Sequence, residues 1–365
     1  MNRLFFVLPL FLIFPLGFYF YFFFKHILLF FITDLSLWIK VILVIVTILF
    51  VTPATHIFGF WAVIVLHLFA FGLMTDFVVW ACGKYIVHQK ILMAIYQLGL
   101  IPLLCLFIVL GYGYWNMKNV HQVDYTVTTH KNIKQDYRLA LITDLHFGNT
   151  MNKKELQEYC QKISDLKPDI VLLGGDIVDE RSTYQEMLDA FSCLSQIDNQ
   201  FGIYYVYGNH DQARYLDQPP FSLEQLQQAI EDNDIRILLD TSLRIQDDLT
   251  IVGRNDRGLG KRQSSQTLLS DVHHDDFVVI LDHQPVDLKI NDQLKCDLQL
   301  SGHTHGGQMF PVGLISDILG FGEMNYGYRQ MNYMQVIVSS GIAGWGYPLR
   351  TGSHSEYVIV DVVKQ

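Results

Sequence analysis

Eight polar side chains fall in five short clusters along the chain: Asp144 with His146, Asp176 alone, Asn209 with His210, His283 alone, and His303 with His305. They offer carboxylate oxygens, an amide oxygen and imidazole nitrogens, a donor set that suits first-row divalent metals such as Mn, Fe or Zn. The set contains no thiolate and is too large for a structural zinc site. A lone Asp-x-His or His-x-His would carry little weight, since an isolated histidine at a strand end is more often a turn or surface residue. Five clusters in order, each beside glycine, proline or a turn residue, point to one metal-dependent centre.

The clusters need elements that bring them together. "YRLALITDLH" (137–146), "IVLLGGD" (170–176) and "FGIYYVYGNHD" (201–211) are apolar runs that end in polar residues, with amphipathic helical patterns between them. Strands apolar along their whole length, alternating with helices, predict parallel pairing in a sheet covered by helices. Ligand-bearing residues then gather at the strands' carboxyl ends. Farther on, "LTIVGRND", "FVVILDHQP", "CDLQLSGHTH", "QVIVSSG" and "EYVIVDV" supply strands with little helix between them, which predicts a second sheet packed on the first.

The chain before Asp124 has a different composition. It carries charge only at Arg3, Lys25, Lys40, Lys84, Lys90, Lys118, Asp34 and Asp76. Apolar stretches of this length read as membrane spans, here about 4–24, 38–58, 60–81 and 92–115, with Ile27–Phe31 at the interface. A signal peptide fits poorly, because Leu4–Phe24 is long and aromatic and runs into Lys25 and His26. The predicted organisation is a transmembrane region over 1–116, a linker with a first strand over 117–135, and a catalytic domain over 136–365. Without the N-terminal charges, 20 basic and 34 acidic residues remain, a formal net charge of −14 that excludes a generic nucleic-acid binder. His56, His67 and Asp76 form no recognisable relay and read as turn, packing or interfacial residues. Cys82, Cys105, Cys160, Cys193 and Cys296 form no CxxC pair and read as small apolar side chains.

The segments "DLH", "GGD", "GNHD", "DHQP" and "GHTHGGQ" resemble, in order and context, those of the calcineurin-like metallophosphoesterases. The resemblance covers about 137–365 and is nearest to the branch in which this domain follows membrane helices. It implies an α/β four-layer sandwich, two mixed β-sheets flanked by helices, after a bundle of about four transmembrane helices. It implies two divalent ions: Asp144, His146 and His305 on the first, Asn209, His283 and His303 on the second, and Asp176 bridging. A metal-activated hydroxide would attack the phosphorus. His210 resembles the histidine that helps the leaving oxygen depart, with Asp211 orienting it. Arg350, in "YPLRTG", matches an arginine that would meet phosphate or headgroup oxygens, with a structural salt bridge as the alternative. Asp282 is read as a turn cap, the basic loop 253–263 as solvated, and His273 and His274 as surface residues.

The expected activity is hydrolysis of phosphate mono- or diesters, with a phosphorylated, lipid-linked or envelope substrate and no nucleic-acid partner. The alternatives are a pyrophosphatase acting on a nucleotide-linked lipid, or a receptor or transport module with a regulatory phosphoesterase-like domain. A multi-pass protein of the cell membrane follows from the spans. Lys25, Lys40, Lys84 and Lys90 lie closer to the spans than Lys131 and Lys134, which places the catalytic domain on the extracytoplasmic side.

Overall fold

A computed structural model describes residues 4–56, 59–86 and 89–365. The chain forms two compact units, Met1–Tyr112 and Gly113–Gln365.

In the first unit and the start of the second lie four stretches long and apolar enough to cross a membrane: Phe11–Phe31, Leu37–Thr55, Phe60–Gly83 and Leu100–Lys118. Large apolar side chains such as Phe14, Trp38, Ile48 and Trp80 point outward, the reverse of a water-soluble bundle. Two boundaries differ from those expected. Ile27–Phe31 continues the first helix, which runs Leu4–Phe31, because Lys25 and His26 contain no helix breaker. The expected 92–115 span is divided into Lys90–Gln97 and Leu100–Lys118 at Gly99, whose φ of +64° is left-handed. His56 lies at the bend after the Thr52–Thr55 turn, and Asp76 accepts from Tyr19 Oη at 3.1 Å and Tyr96 Oη at 3.0 Å, a helix-packing contact.

Two six-stranded sheets form the second unit. The strands are β1 (Val120–Thr129), β2 (Tyr137–Ile142), β3 (Ile170–Leu173), β4 (Ile203–Tyr205), β5 (Ile235–Ile237), β6 (Thr241–Ile245), β7 (Leu249–Gly253), β8 (Phe277–Leu281), β9 (Leu298–Ser301), β10 (Gly327–Gln330), β11 (Gln335–Val338) and β12 (Ser355–Lys364). The first sheet has the order β1-β12-β2-β3-β4-β5 and the second β10-β11-β9-β8-β7-β6. Parallel pairing runs through β2-β3-β4-β5 and through β11-β9-β8-β7. Antiparallel pairs occur at β12-β2, β10-β11 and β6-β7, so both sheets are mixed.

Alternation along each strand builds the layers. Leu139, Leu141, Ile170 and Leu172 meet Val279, Leu281, Leu298 and Leu300 between the sheets. Ala140, Ile142, Val171 and Leu173 face the helices Lys153–Asp165, Tyr184–Leu194 and Leu223–Glu231. Val278 and Ile280 face the opposite way, toward the Ser265–Leu269 and Leu288–Gln293 segments. Both strand faces are therefore apolar, as the uninterrupted hydrophobic runs require, and the architecture is helix, sheet, sheet, helix.

β1 follows the Leu100–Lys118 helix after the single residue Asn119 and pairs with β12 along its whole length, Val120 with Ser355 through Thr129 with Lys364. Lys118 is held by Glu155 at 2.8 Å.

Candidate metal centre

Each candidate residue sits on the loop leaving a strand: Asp144 and His146 after β2, Asp176 after β3, Asn209 and His210 after β4, His283 after β8, and His303 and His305 after β9. The loops are tied to one another by their backbones, with Asp144 N donating to Gly175 O and His146 N to Asp176 O, each at 3.0 Å. Asp144, His146, Asp176, His303 and His305 all have positive φ, between 41° and 71°. Left-handed backbone costs an L-residue about 1–2 kcal/mol, and such strain gathers where a side chain must be aimed. Two glycines allow the close approach. A Cβ at Gly208 would lie 2.1 Å from Asp176 Oδ1, and one at Gly302 would lie 2.2 Å from Asp144 Oδ2.

The side chains converge in two groups. In the first, His146 Nε2 lies 3.3 Å from His305 Nε2, which is 3.5 Å from Asp144 Oδ1. In the second, His283 Nε2 lies 3.1 Å from His303 Nδ1, 3.3 Å from Asn209 Oδ1 and 3.3 Å from Asp176 Oδ2. The same Asp176 Oδ2 is 3.7 Å from His146 Nε2. Asp176 thus lies between the groups.

Proton assignment shows what these atoms can accept. His283 Nδ1 faces the Gly174 carbonyl at 2.8 Å and must donate to it, so in the neutral ring Nε2 presents a lone pair. His146 Nδ1 faces Asp179 Oδ2 at 3.2 Å, which leaves Nε2 in the same state. Those lone pairs point at carboxylate oxygens, an amide oxygen and other imidazole nitrogens. Carboxylate oxygens, an amide oxygen and these two imidazole nitrogens converge, a set of acceptors that a cation would satisfy. Metal–ligand bonds of about 2.0–2.2 Å put neighbouring ligands roughly 3.0–3.5 Å apart, close to the spacing found. The residues present fit two divalent metal ions, and burial of Asp144, Asp176, His146 and His283 supplies the dry surroundings.

Burial alone would lower the His283 pKa, but the Asp176 and Asp144 carboxylates outweigh it and hold the ring well above its usual value, with a proton that a bound metal would displace. Burial pushes the Asp176 carboxyl up, but the imidazoles of His283, His146 and His210 outweigh it and hold the group well below the ordinary carboxylate range. Burial and the neighbouring His283 push His303 down to about 3, and burial with His146 and Arg350 alongside keeps His305 well below its usual value. Asp176 is therefore an anion while His303 and His305 are neutral, the forms that bind metals.

The structure brings His210 to the rim of this cluster, its ring 5.6 Å from that of His146, with its backbone N donating to Asp176 Oδ1 at 2.8 Å. Four expectations about the surroundings are revised. Asp211 does not orient His210. It is buried and accepts from the backbone N of Gly208 (2.6 Å), Asp176 (2.7 Å), Ile177 (2.8 Å) and Val178 (3.2 Å). Burial and the nearby Asp176 charge push its carboxyl up to about 6. The carboxylate that holds His210 is Glu180, whose Oε2 lies 2.8 Å from His210 Nδ1.

Arg350 offers no exposed face to a phosphate. Fully buried, it donates to the carbonyls of Ser340 (2.7 Å), Ala343 (2.6 Å), His305 (3.1 Å) and His354 (3.1 Å) and to Ser353 Oγ (2.9 Å). It fixes the loop behind His305, through backbone acceptors where a salt bridge had been the alternative. Asp282 caps the turn, accepting from Gln284 N at 3.2 Å, but does more than cap it, and the 253–263 loop is only partly solvated. Arg262 forms a buried ion pair with both Asp282 oxygens, and Arg254 is buried 3.5 Å from Asp287.

Asp179 and Glu180 were not among the residues expected at the site. Their signal is faint: two carboxylates in the "DIVDER" run after Asp176, which look like a solvated approach to the next helix.

A model of the calcineurin-like phosphoesterase family matches residues 137–307. An uncharacterized metallophosphoesterase of Aquifex aeolicus is 31% identical over 245 residues, which cover 65% of this chain and 90% of that relative. One from Campylobacter jejuni is 28% identical over 281 residues, 75% of this chain and 71% of its own. A transmembrane protein with metallophosphoesterase domain from Danio rerio is 28% identical over 238 residues, 62% of this chain and 53% of the relative, so the match spans about half of that protein. With this match and an Aquifex relative covered nearly end to end, the chain belongs to the calcineurin-like phosphoesterases and is a metal-dependent phosphoesterase preceded by apolar helices of membrane-spanning length.

Proposed function

We propose that this protein is a membrane-anchored phosphoesterase that uses two divalent metal ions to hydrolyse phosphate mono- or diesters borne by lipid-linked or envelope molecules. The observation that carries the reading is the convergence of imidazole nitrogens and carboxylate and amide oxygens on two adjoining points. Asp144, His146 and His305 would hold one ion, and Asn209, His283 and His303 the other, with Asp176 contributing to both. Bound there, two such ions supply charge stabilisation for phosphate oxygens and a water activated near neutral pH.

The chain's own residues do the rest. Asp179 and the Gly174 carbonyl fix the tautomers of His146 and His283, so both present Nε2 to the centre. Glu180 holds His210 through Nδ1, which leaves Nε2 to donate a proton to the departing oxygen. Burial lowers the His210 pKa, but the Glu180 hydrogen bond and the Asp176 and Glu180 charges outweigh it and favour the protonated, donating form.

Anchoring supports a substrate at the bilayer: one residue separates the last apolar helix from β1, so the catalytic unit has no long tether. An extracytoplasmic catalytic unit is supported by the loop cations. Lys118, Lys131 and Lys134 each pair with an acid, Glu155, Asp297 and Asp247. Protease treatment of intact cells should digest the unit while a cytoplasmic control survives; protection until lysis would move it inside.

The activity itself is tested on the purified full-length protein with soluble phosphomonoesters and phosphodiesters. Chelation should abolish turnover and Mn²⁺, Fe²⁺ or Zn²⁺ should restore it. Turnover indifferent to both would refute the reading.

A further inference from the structure

The Val312–Leu319 helix is built the wrong way round for a surface in water. Val312, Leu314, Ile318 and Leu319 are exposed, with exposed Phe310 and Phe321 at the two ends, and Gly313 is the helix's buried residue. Contiguous apolar patches of this kind mark interaction or membrane surfaces. Its position within the catalytic unit identifies the occupant.

That unit begins at Gly113, inside the Leu100–Lys118 helix whose length and composition suit a bilayer. Arg350 N donates to Gly113 O at 3.0 Å, and a Cβ at Gly113 would lie 3.1 Å from Thr351 Cγ2. The hydroxyl of that same Thr351 accepts from Phe310 N at 3.0 Å. Arg350 thus holds Gly113 and the next residue, Thr351, holds Phe310, so within this unit the start of the exposed helix lies close to Gly113, where the chain leaves the apolar span. At its other contact the helix rests on the metal-bearing turn. A Cβ at Gly307 would lie 2.3 Å from Gly313 Cα, so the backbones meet directly behind His303 and His305.

We propose that the Val312–Leu319 helix inserts its apolar face into the leaflet from which the Leu100–Lys118 helix emerges, and so holds the metal centre against phosphate groups embedded in that leaflet. The substrate half rests on the phosphoesterase reading above; the insertion does not. Asp317 is the helix's single charged residue, so insertion depends on apolar burial and should be insensitive to salt.

The test uses full-length protein in phosphatidylcholine vesicles, with Cys82 and Cys105 replaced by Ser and a nitroxide attached at Ile318→Cys. Collisions with oxygen should exceed those with a water-soluble nickel chelate at this position. The order should reverse at a nitroxide on Lys154→Cys, an exposed position on the Lys153–Asp165 helix. A label at 318 that favours the nickel chelate overturns the proposal. One inaccessible to both reagents also overturns it, since a second copy or another protein would then cover the face. In a second arm, Ile318→Asp with Leu319→Asp should lower turnover of vesicle-embedded phosphatidic acid about tenfold or more and leave turnover of a soluble aryl phosphate unchanged. Equal turnover of the embedded lipid by variant and parent refutes the substrate half. Failure of the parent on both substrates refutes the phosphoesterase reading and leaves the label result standing.

Discussion

The two halves of the candidate metal centre offer nearly the same inner atoms but rest on different backing. Asp144, His146 and His305 have charged groups behind them: Asp179 faces His146 Nδ1, and the buried Arg350 lies 3.5 Å from His305 Nδ1. Asn209, His283 and His303 present a neutral amide where the first half has a carboxylate, and His283 leans on a backbone carbonyl. With Asp176 shared, the first half holds the larger negative charge. A side chain can be substituted and a carbonyl cannot, so the first half is open to tuning by mutation while the second is fixed by the fold. The halves should therefore differ in grip: the second ion should leave first.

Asp176→Asn removes the anion both halves share, and its effect should be the largest. Metal counting should find both ions weakened and turnover reduced to that of the chelated parent. Loss of one ion alone would show that the halves do not share this residue.

In the proposed site His210 serves neither half as a ligand, which would separate chemistry from binding. His210→Gln should lower kcat about 10²- to 10⁴-fold with metal content unchanged, and Glu180→Gln should reproduce part of that loss. Metal loss in His210→Gln accompanied by no further kinetic defect would contradict the role given to it.

Asp179→Asn tests the asymmetry itself. Removing the carboxylate behind a metal-bound histidine costs about 10- to 100-fold in affinity or activity, and the loss should fall on the first ion alone. Titration of metal into the stripped variant would show one site shifted and one unchanged; two shifted sites would end the distinction.

The smallest expected effect lies behind the Arg350 loop. Glu356 is pushed up by burial, but hydrogen bonds from His354 (2.8 Å), Tyr326 Oη (2.8 Å) and Ser340 N (3.0 Å) hold its carboxyl below the ordinary range. A folded-state pKa below the unfolded one means the carboxylate stabilises the fold above the unfolded value of about 4.3. That stability is lost as the pH falls through the lower folded-state value. Glu356→Gln should therefore unfold more readily than the parent at pH 7, and the gap between the two melting temperatures should narrow on acidification. A gap independent of pH would remove the charge from the explanation.

Legibility in the sequence followed the range of the interaction. The strands that carry the site were plain, because both faces of runs such as Leu139–Ile142 and Ile170–Leu173 are covered and every position is apolar. The candidate ligands were plain as well, each held at a strand end by a local glycine or turn. The backing groups depend on how loops fold across one another, and neighbours in sequence misled. Asp211 follows His210 yet turns to the amides of residues 176–178, while Glu180 reaches His210 from a different loop. Arg350 was read as meeting substrate or a salt-bridge partner and Arg262 as solvated, because charge alone does not reveal burial; one is buried among carbonyls and the other against Asp282. The pairing of β1 with β12 joins opposite ends of the catalytic unit, and no local pattern encodes it.

The central claim, two adjoining metal sites of unequal grip sharing Asp176, is tested most directly by stepwise chelation of the purified full-length protein, with metal content and turnover measured on the same samples. The account predicts two ions per chain that depart in two resolved steps, with turnover lost at the first step and restored by one equivalent of returned metal. A single ion per chain, or full turnover surviving removal of both, would contradict it.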